Sequence, residues 1–389
     1  MNILFLYPRM FYPYHGGIER VTDILCREFR KRGHNVLYLN NINDSTLQNY
    51  SYPAKVYFFP MPGREIDVNG PFYRDFLKKH EIDIVINQDI PYYHNLISFS
   101  QDLKNVHVIS VVHNSPLFIY DYLFALTMRL RDNTLIEKFK RIARIIKVPK
   151  IKYNYYKGLQ TCYKDTITYS DRLCLLSLKF IPELRRVYDG DLKKVISIGN
   201  PNTYSSVEYV KLAKKKQLIY VGRVEWYQKR TDRLFYIWKH LFSEFLDWEL
   251  IIVGDGPIKQ MLESKFSGIP RVSFVGYQEP KKYYQEASIL CLTSDFEGWG
   301  MVLTEAMNFG VIPVLYNSFA SAMDIVEDWK TGVLVPPFSR SRYVYALKKL
   351  MKDEDLRKKI SSECLQSVRK HDLNSVANQW ESLFSHLKS

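Results

Sequence analysis

Short apolar runs of strand length, separated by stretches with helical spacing, recur along this 389-residue chain. That rhythm constrains the fold more than any other feature. Ile3 to Tyr7, Val36 to Leu39, Ile82 to Asn87 and Val106 to Val112 read as buried strands of a parallel sheet. After the first run, Ile18, Val21, Leu25 and Phe29 fall on one helical face, and Gly33 stands where a helix ends. The region from Tyr120 to Ile151 is helical in pattern. Alternation resumes at Leu173 to Leu176, with a helix expected near Leu178 to Tyr188. A second series follows: Leu218 to Val221, Leu250 to Val253, Val272 to Val275, Ile289 to Leu292 and Ile312 to Leu315. Strands alternating with helices imply an α/β fold with doubly wound sheets.

A single core rarely grows to this length, so two domains are expected. The boundaries read as 1–200 for a first Rossmann-like domain, 201–216 for a linker and 217–372 for a second Rossmann-like domain, the two facing across a cleft. Ser205 to Lys216 is polar and Lys-rich, which marks the linker. Residues 373–389 hold an amphipathic helix, Ser375 to Leu387, free to pack on either domain, a return to the first included.

The first residues are apolar but too short for a signal peptide, and no run of about 18 apolar residues suggests a membrane span. The five cysteines (Cys26, Cys162, Cys174, Cys291, Cys364) have neither paired nor metal-like spacing. A cytoplasmic protein with free thiols is therefore expected. The formal net charge is +14, which favours polyanionic partners. Ten basic residues between Arg129 and Lys157 are opposed only by Asp132 and Glu137. With Leu123, Phe124, Leu126 and Met128 supplying an apolar face, the stretch 117–157 is a candidate for an anionic membrane surface, against the plainer reading of a helix with a solvated basic rim. The expected location is thus the cytoplasm, peripheral on the inner face of the membrane.

Four loops carry candidate chemistry. Gly16-Gly17, between the first strand and helix, lets an anion approach a helix N-terminus that bears about half a positive charge; a plain tight turn is the alternative. Gly222-Arg223, with Lys229 following, brings a planar cationic fork and a mobile ammonium to a strand's carboxyl end, where ligands of open sheets gather; a solvated basic loop is the alternative. Gly254-Asp255-Gly256-Pro257 reads as a structural turn. The fourth runs from Ser294 through Glu297-Gly298-Trp299-Gly300-Met301-Val302 to Glu305. Were it all helical, its two glutamates would stand ~12 Å apart. That exceeds the ~5 Å of a retaining glycosidase pair and the ~6.5–9.5 Å of an inverting one. Each glutamate is better read as gripping a different part of one extended ligand, with solvated carboxylates as the alternative. Asp189-Gly190-Asp191 reads as a turn rather than a metal site, and no metal ligands are assigned.

These motifs resemble the retaining glycosyltransferases of family 4, also called group 1, which have the GT-B architecture. The likeness touches both halves and is closest from Leu218 to Pro336. It implies a hexosyltransferase-type enzyme that moves sugar from a nucleotide diphosphate sugar to a glycan or lipid-linked acceptor in cell-surface polysaccharide synthesis. It further implies that Arg223 and Lys229 hold the donor diphosphate, Glu305 the ribose and Glu297 the sugar hydroxyls. The backbone of Gly298, Trp299, Gly300, Met301 and Val302 would line sugar and phosphates, Gly16 and Gly17 would close over the phosphates, and Gly276 would lie beside the base. His113, in Val112-His113-Asn114, matches a histidine that orients the reacting sugar. Asn114 stands where the family commonly has aspartate, Trp299 where it has Phe or Tyr, and Arg230 where a glycine often follows the lysine. Asp324 is the nearest acidic substitute in a missing Gly-Gly-x-x-Glu.

Because two cations can answer the negative charge of a leaving diphosphate, neither a metal nor a further cofactor is required. Two readings compete. A sugar-nucleotide epimerase of similar two-domain shape is the nearest. A nucleic-acid-binding protein would use the same charge, but the chain has no nucleic-acid module and no nucleic acid is expected as partner. An NAD-type oxidoreductase would need a dinucleotide fingerprint, which is lacking.

Overall fold

The computed structural model describes residues 1–47, 50–128, 135–204 and 213–389. The chain forms two compact units, one from Met1–Thr127, residues 135–201 and Leu373–Ser389, the other from Asn202–Asp372.

The first unit carries a seven-stranded sheet: β1 (Asn2–Tyr7), β2 (Asn35–Asn40), β3 (Lys55–Phe58), β4 (Ile84–Asn87), β5 (His107–Val112), β6 (Arg172–Leu175) and β7 (Val195–Ser197). Their order is β3-β2-β1-β4-β5-β6-β7, with every pairing parallel. Apolar residues fill β1 because helices cover both faces of the sheet; Ile3, Leu4, Phe5 and Leu6 are all fully buried. Phe5 stacks on Phe29 of the helix Gly17–Lys31, which Gly33 follows at φ +88°.

The C-terminal helix Leu373–Lys388 packs on that same helix. Phe384 is fully buried edge-on to Phe29, at a centroid distance of 5.5 Å, a burial that contributes about 2 kcal/mol. Glu381 accepts from Arg32 at 2.7 Å and meets His34 Nε2 at 2.8 Å, and Lys388 reaches Asp83 at 2.6 Å.

The second unit has a six-stranded parallel sheet: β8 (Gln217–Val221), β9 (Glu249–Val253), β10 (Val272–Gly276), β11 (Ile289–Leu292), β12 (Ile312–Tyr316) and β13 (Val333–Val335), ordered β10-β9-β8-β11-β12-β13. In both sheets the chain starts centrally, winds one way for three strands and then returns to the other side. The reversal falls between β1 and β4 in one sheet and between β8 and β11 in the other, the position at which ligands of open α/β sheets gather.

Several details differ from the sequence expectation. The strands Lys55–Phe58 and Val333–Val335 were not anticipated: the first is a half-buried edge strand, the second only three residues long. The helix expected near Leu178 to Tyr188 is a turn, Leu178–Phe180, followed by a single short helix, Ile181–Arg185. Of the expected linker, residues 205–212 lie outside the described residues, as do 129–134 of the basic stretch and the side chains of Leu126, Met128 and Lys138. The flanking part of the linker packs into the second unit. Asn202 donates to Thr304 O, and Lys215 N donates to Glu286 O. All five cysteines are buried and free.

Candidate functional site

In the second unit the expected site residues converge on the carboxyl edge of the sheet. Gly222-Arg223 follows β8, Gly254 follows β9, Gly276 ends β10, and Ser294 to Gly300 follows β11. The β8 and β11 loops lie on either side of the topological switch, and their backbones are stitched together. Asp295 N donates to Gln228 O at 2.8 Å, and Thr293 Oγ1 reaches the carbonyls of Lys229 and Arg230 at 3.1 and 3.0 Å. Beneath them Asp295, almost fully buried, pairs with Arg233 at 2.6 Å and Arg230 at 3.5 Å. A buried carboxylate is tolerated only with such partners. The pairing fixes the loop that carries Glu297.

Glu297 is 5% exposed and fully engaged. Its Oε1 receives Lys229 Nζ at 2.6 Å and Ser294 Oγ at 2.6 Å, and its Oε2 receives Gln228 Nε2 at 3.3 Å. Arg223 is the exposed cation of the group; its Nη1 touches Glu225 Oε2 at 3.4 Å, and its carbonyl accepts from Tyr220 OH at 2.7 Å. Lys229 is therefore held ready beside a carboxylate, whereas Arg223 projects from the loop.

Arg230, in the place where the family often has glycine, adopts φ +49°. An L-residue there carries about 1 kcal/mol of strain. The side chain offsets it by pairing with Asp232 through two 2.9 Å contacts and with Asp295. The Gly254-Asp255-Gly256 turn supports the cation loop from below. A Cβ on Gly254, whose φ is +144°, would lie 1.9 Å from Gly222 O, and Val224 N donates to Asp255 O at 2.8 Å. Only glycine allows this approach.

Glu305 lies on the helix Met301–Asn308, away from the Glu297 partners. Almost fully buried, it accepts from Thr203 Oγ1 at 2.6 Å and Tyr284 OH at 3.1 Å. The contacts of the two glutamates thus differ: Thr203 and Tyr284 meet Glu305, whereas Lys229, Ser294 and Gln228 meet Glu297. Gly300 caps this helix in the left-handed region (φ +83°, ψ 57°), so the chain turns sharply into it, and the first-turn amides of Met301 and Val302 have no acceptor within the helix. Gly298 and Trp299 present carbonyls to Ser321 Oγ at 2.8 and 3.5 Å. The Trp299 ring turns inward and packs edge-on to His371 at 5.2 Å.

The first unit holds the remaining expected residues. His113 follows β5 and meets Gln88 through Nε2. Withdrawal from solvent pushes its pKa down to about 4, so the ring is neutral at pH 7. Gly16 and Gly17 open the helix Gly17–Lys31, but its first turn already contains a carboxylate. Buried Glu19 accepts from Tyr7 OH at 3.3 Å, and a Cβ on Gly16 would lie 2.9 Å from Glu19 Oε2. In the Asp189-Gly190-Asp191 segment, Asp191 accepts from Lys193 N at 2.9 Å, which makes it a turn. No cluster of three metal-ligating side chains occurs among the described residues.

Comparison with known proteins decides the family. The sequence model for glycosyl transferases group 1 matches residues 205–364, and that for glycosyltransferase family 4 matches residues 15–148. The chain belongs to the group 1 glycosyltransferases. Over 204 residues it is 28% identical to the amylovoran biosynthesis glycosyltransferase AmsD of Erwinia amylovora, covering 50% of this chain and 57% of that protein. Over 207 residues it is 26% identical to a Campylobacter jejuni N-acetylgalactosaminyltransferase named for a diNAcBac-PP-undecaprenol-linked glycan, covering 52% and 57%. These matches span little more than half of the relatives' own length. Among solved structures, Anabaena HepE in complex with UDP matches with a TM-score of 0.74 and 14% identity over 99% of this chain and 100% of that one. The lipopolysaccharide outer core galactosyltransferase WaaB matches with a TM-score of 0.69 and 19% identity, over 99% and 100%. The fold of this group 1 glycosyltransferase is GT-B.

Several side chains of the glycosyltransferase escaped the sequence reading: Gln228 beside Glu297, Thr203 and Tyr284 around Glu305, and Gln88 beside His113. They are ordinary polar residues with no motif spacing, and only folding gathers them.

Proposed function

We propose that this protein is a metal-independent, retaining glycosyltransferase that transfers a sugar from a nucleotide diphosphate sugar to a glycan or lipid-linked acceptor in cell-surface polysaccharide synthesis. The observation that carries the reading is the pairing of Lys229 with Glu297 beside exposed Arg223 at the switch of the second sheet. As the sugar–diphosphate bond breaks, negative charge grows on the leaving oxygen. Lys229 preorganised by Glu297, the exposed Arg223 and the first amides of the helix Met301–Asn308 suit that charge. Glu297 then takes sugar hydroxyls and Glu305 the ribose. His113, neutral, orients the sugar and does not attack it. The leaving phosphate assists deprotonation of the acceptor on the same face, which retains configuration. The relatives support the acceptor class, since one is named for amylovoran biosynthesis and one for a lipid-linked glycan.

The same reading seats the enzyme peripherally on the inner face of an anionic membrane. Along the helix Leu135–Tyr169, Ile142, Ile146 and Tyr153 are exposed at helical spacing, with exposed Arg144, Lys147, Lys150 and Lys157 on the same helix. Each cation near anionic lipid contributes about 1 kcal/mol. No helix of the described residues is long and apolar enough to cross a membrane.

A panel of nucleotide sugars screened for thermal stabilisation, then for hydrolysis and transfer in the presence of a chelator, tests the reading. A stabilising donor whose sugar appears in the product with its anomeric configuration kept, chelator notwithstanding, is expected. Inversion, or dependence on added metal, contradicts the mechanism.

A further inference from the structure

Gln88 has no part in the roles assigned so far. It directly follows β4, beside the strand-order reversal of the first sheet, and its side chain is buried. Its Oε1 meets Nε2 of His113, and its Nε2 lies 3.1 Å from Oγ1 of Thr22, a fully buried residue on the helix Gly17–Lys31. A carboxamide has one accepting end and one donating end. With the donating end on Thr22, the accepting end is left for the imidazole, whose Nε2 must then carry the hydrogen. The other ring nitrogen, Nδ1, has no protein partner among the described residues.

We infer that Gln88, its amide donating to Thr22, is a positioning residue that holds His113 in the Nε2–H tautomer and presents Nδ1 as a hydrogen-bond acceptor for a hydroxyl of the donor sugar. The inference rests on the assignment of His113 to the sugar made above. Its chemistry suits a carbon that gains positive charge during transfer. A protonated imidazole would offer only donors and would repel that charge, whereas the neutral ring accepts from a hydroxyl and adds no cation. Burial works in the same direction, since it keeps the ring uncharged at neutral pH. Three elements of one unit hold the arrangement: the ends of β4 and β5 and the helix Gly17–Lys31.

Long-range proton–nitrogen NMR of the full chain with isotope-labelled histidine reads the tautomer directly, the His113 signals being assigned by their loss in His113→Gln. At neutral pH the wild type should show a protonated Nε2 and a bare Nδ1. Gln88→Leu keeps the bulk but removes both polar contacts; the ring should then exchange between tautomers, and kcat should fall about tenfold with the donor KM little changed, the split expected for a contact that matters most in the transition state. Thr22→Val frees the amide to rotate and should give a weaker form of the same signature, so it serves where Gln88→Leu does not fold. A protonated Nδ1 or a charged ring in the wild type overturns the proposal. So does an unchanged tautomer in a folded variant, even one with lowered activity, because the residue then acts through the fold alone. Should no nucleotide sugar be turned over, the functional reading fails while the spectra still decide the role of Gln88.

Discussion

Lys229 Nζ stands 2.6 Å from Glu297 Oε1, a partly buried charge pair that links the β8 loop to the β11 loop across the switch point of the second sheet. The pair orders the ammonium before any donor arrives, and Ser294 and Gln228 hold the carboxylate in turn. Truncating Glu297 therefore removes the acceptor of several donors at once. Glu297→Ala should lower transfer at least ~100-fold, since each charged hydrogen bond lost contributes about 1.5–3 kcal/mol. Steady-state rates measured with a thermal melt separate that loss from unfolding; near wild-type transfer by the variant would exclude the role given to Glu297.

Gly254→Ala tests whether the β9 turn supports the cation loop. The added carbon would overlap Gly222 O, both atoms being backbone, and the φ is unfavourable for any other residue. A loss of several kcal/mol is expected, on the order of the most damaging single substitutions. Chemical denaturation should register it as a lower midpoint, with an unchanged midpoint refuting the close approach.

Arg230→Gly separates backbone strain from ion pairing. Glycine relieves about 1 kcal/mol at φ +49° but takes the Arg230 guanidinium from Asp295, whose pair with Arg233 stays. Loss of one partner of a buried pair is damaging, by about 3–5 kcal/mol where burial is complete. The net effect should be destabilising by about 1–3 kcal/mol, less than that range because Arg233 remains. A more stable variant would show that the ion pairs contribute little.

Stability should fall in acid. Burial lowers the pKa of both His113 and His371 to about 4, against an unfolded value near 6.5. The unfolded chain thus binds these protons first as the pH drops. The stability is fully present above about pH 6.5 and declines down to about pH 4, by up to roughly 3 kcal/mol per residue. Denaturation curves across that window should be flatter for His371→Phe than for the wild type; parallel curves would count against the buried neutral ring.

Much of the architecture was legible in the sequence because doubly wound sheets bury strands on both faces, which writes β1, β8 and β11 as unbroken apolar runs. Lys55–Phe58 was not, since an edge strand is only half-covered: Lys55 is exposed and the next three residues are partly buried, so no fully apolar run marks it. The motif residues Arg223, Lys229 and Glu297 were legible by spacing and do meet, Arg223 excepted from the direct pair. The place of Glu19 in the first turn beside Gly16 was hidden behind the two glycines, though a glutamate three residues after an N-cap is a recognised signal. Gln228, Thr203 and Gln88 could not be found in advance, because a hydrogen bond between residues far apart in sequence leaves no local pattern. Trp299 shows the converse: its position marks the loop, yet its ring packs inward on His371.

The most direct test of the diphosphate assignment is calorimetric titration of the wild type and an Arg223→Ala/Lys229→Ala variant with a panel of nucleoside diphosphates. One of the panel should bind the wild type, and the double variant should lose at least ~100-fold in affinity, as expected from two charge-assisted contacts of about 1.5–3 kcal/mol each. Equal affinity in a folded double variant would contradict the account.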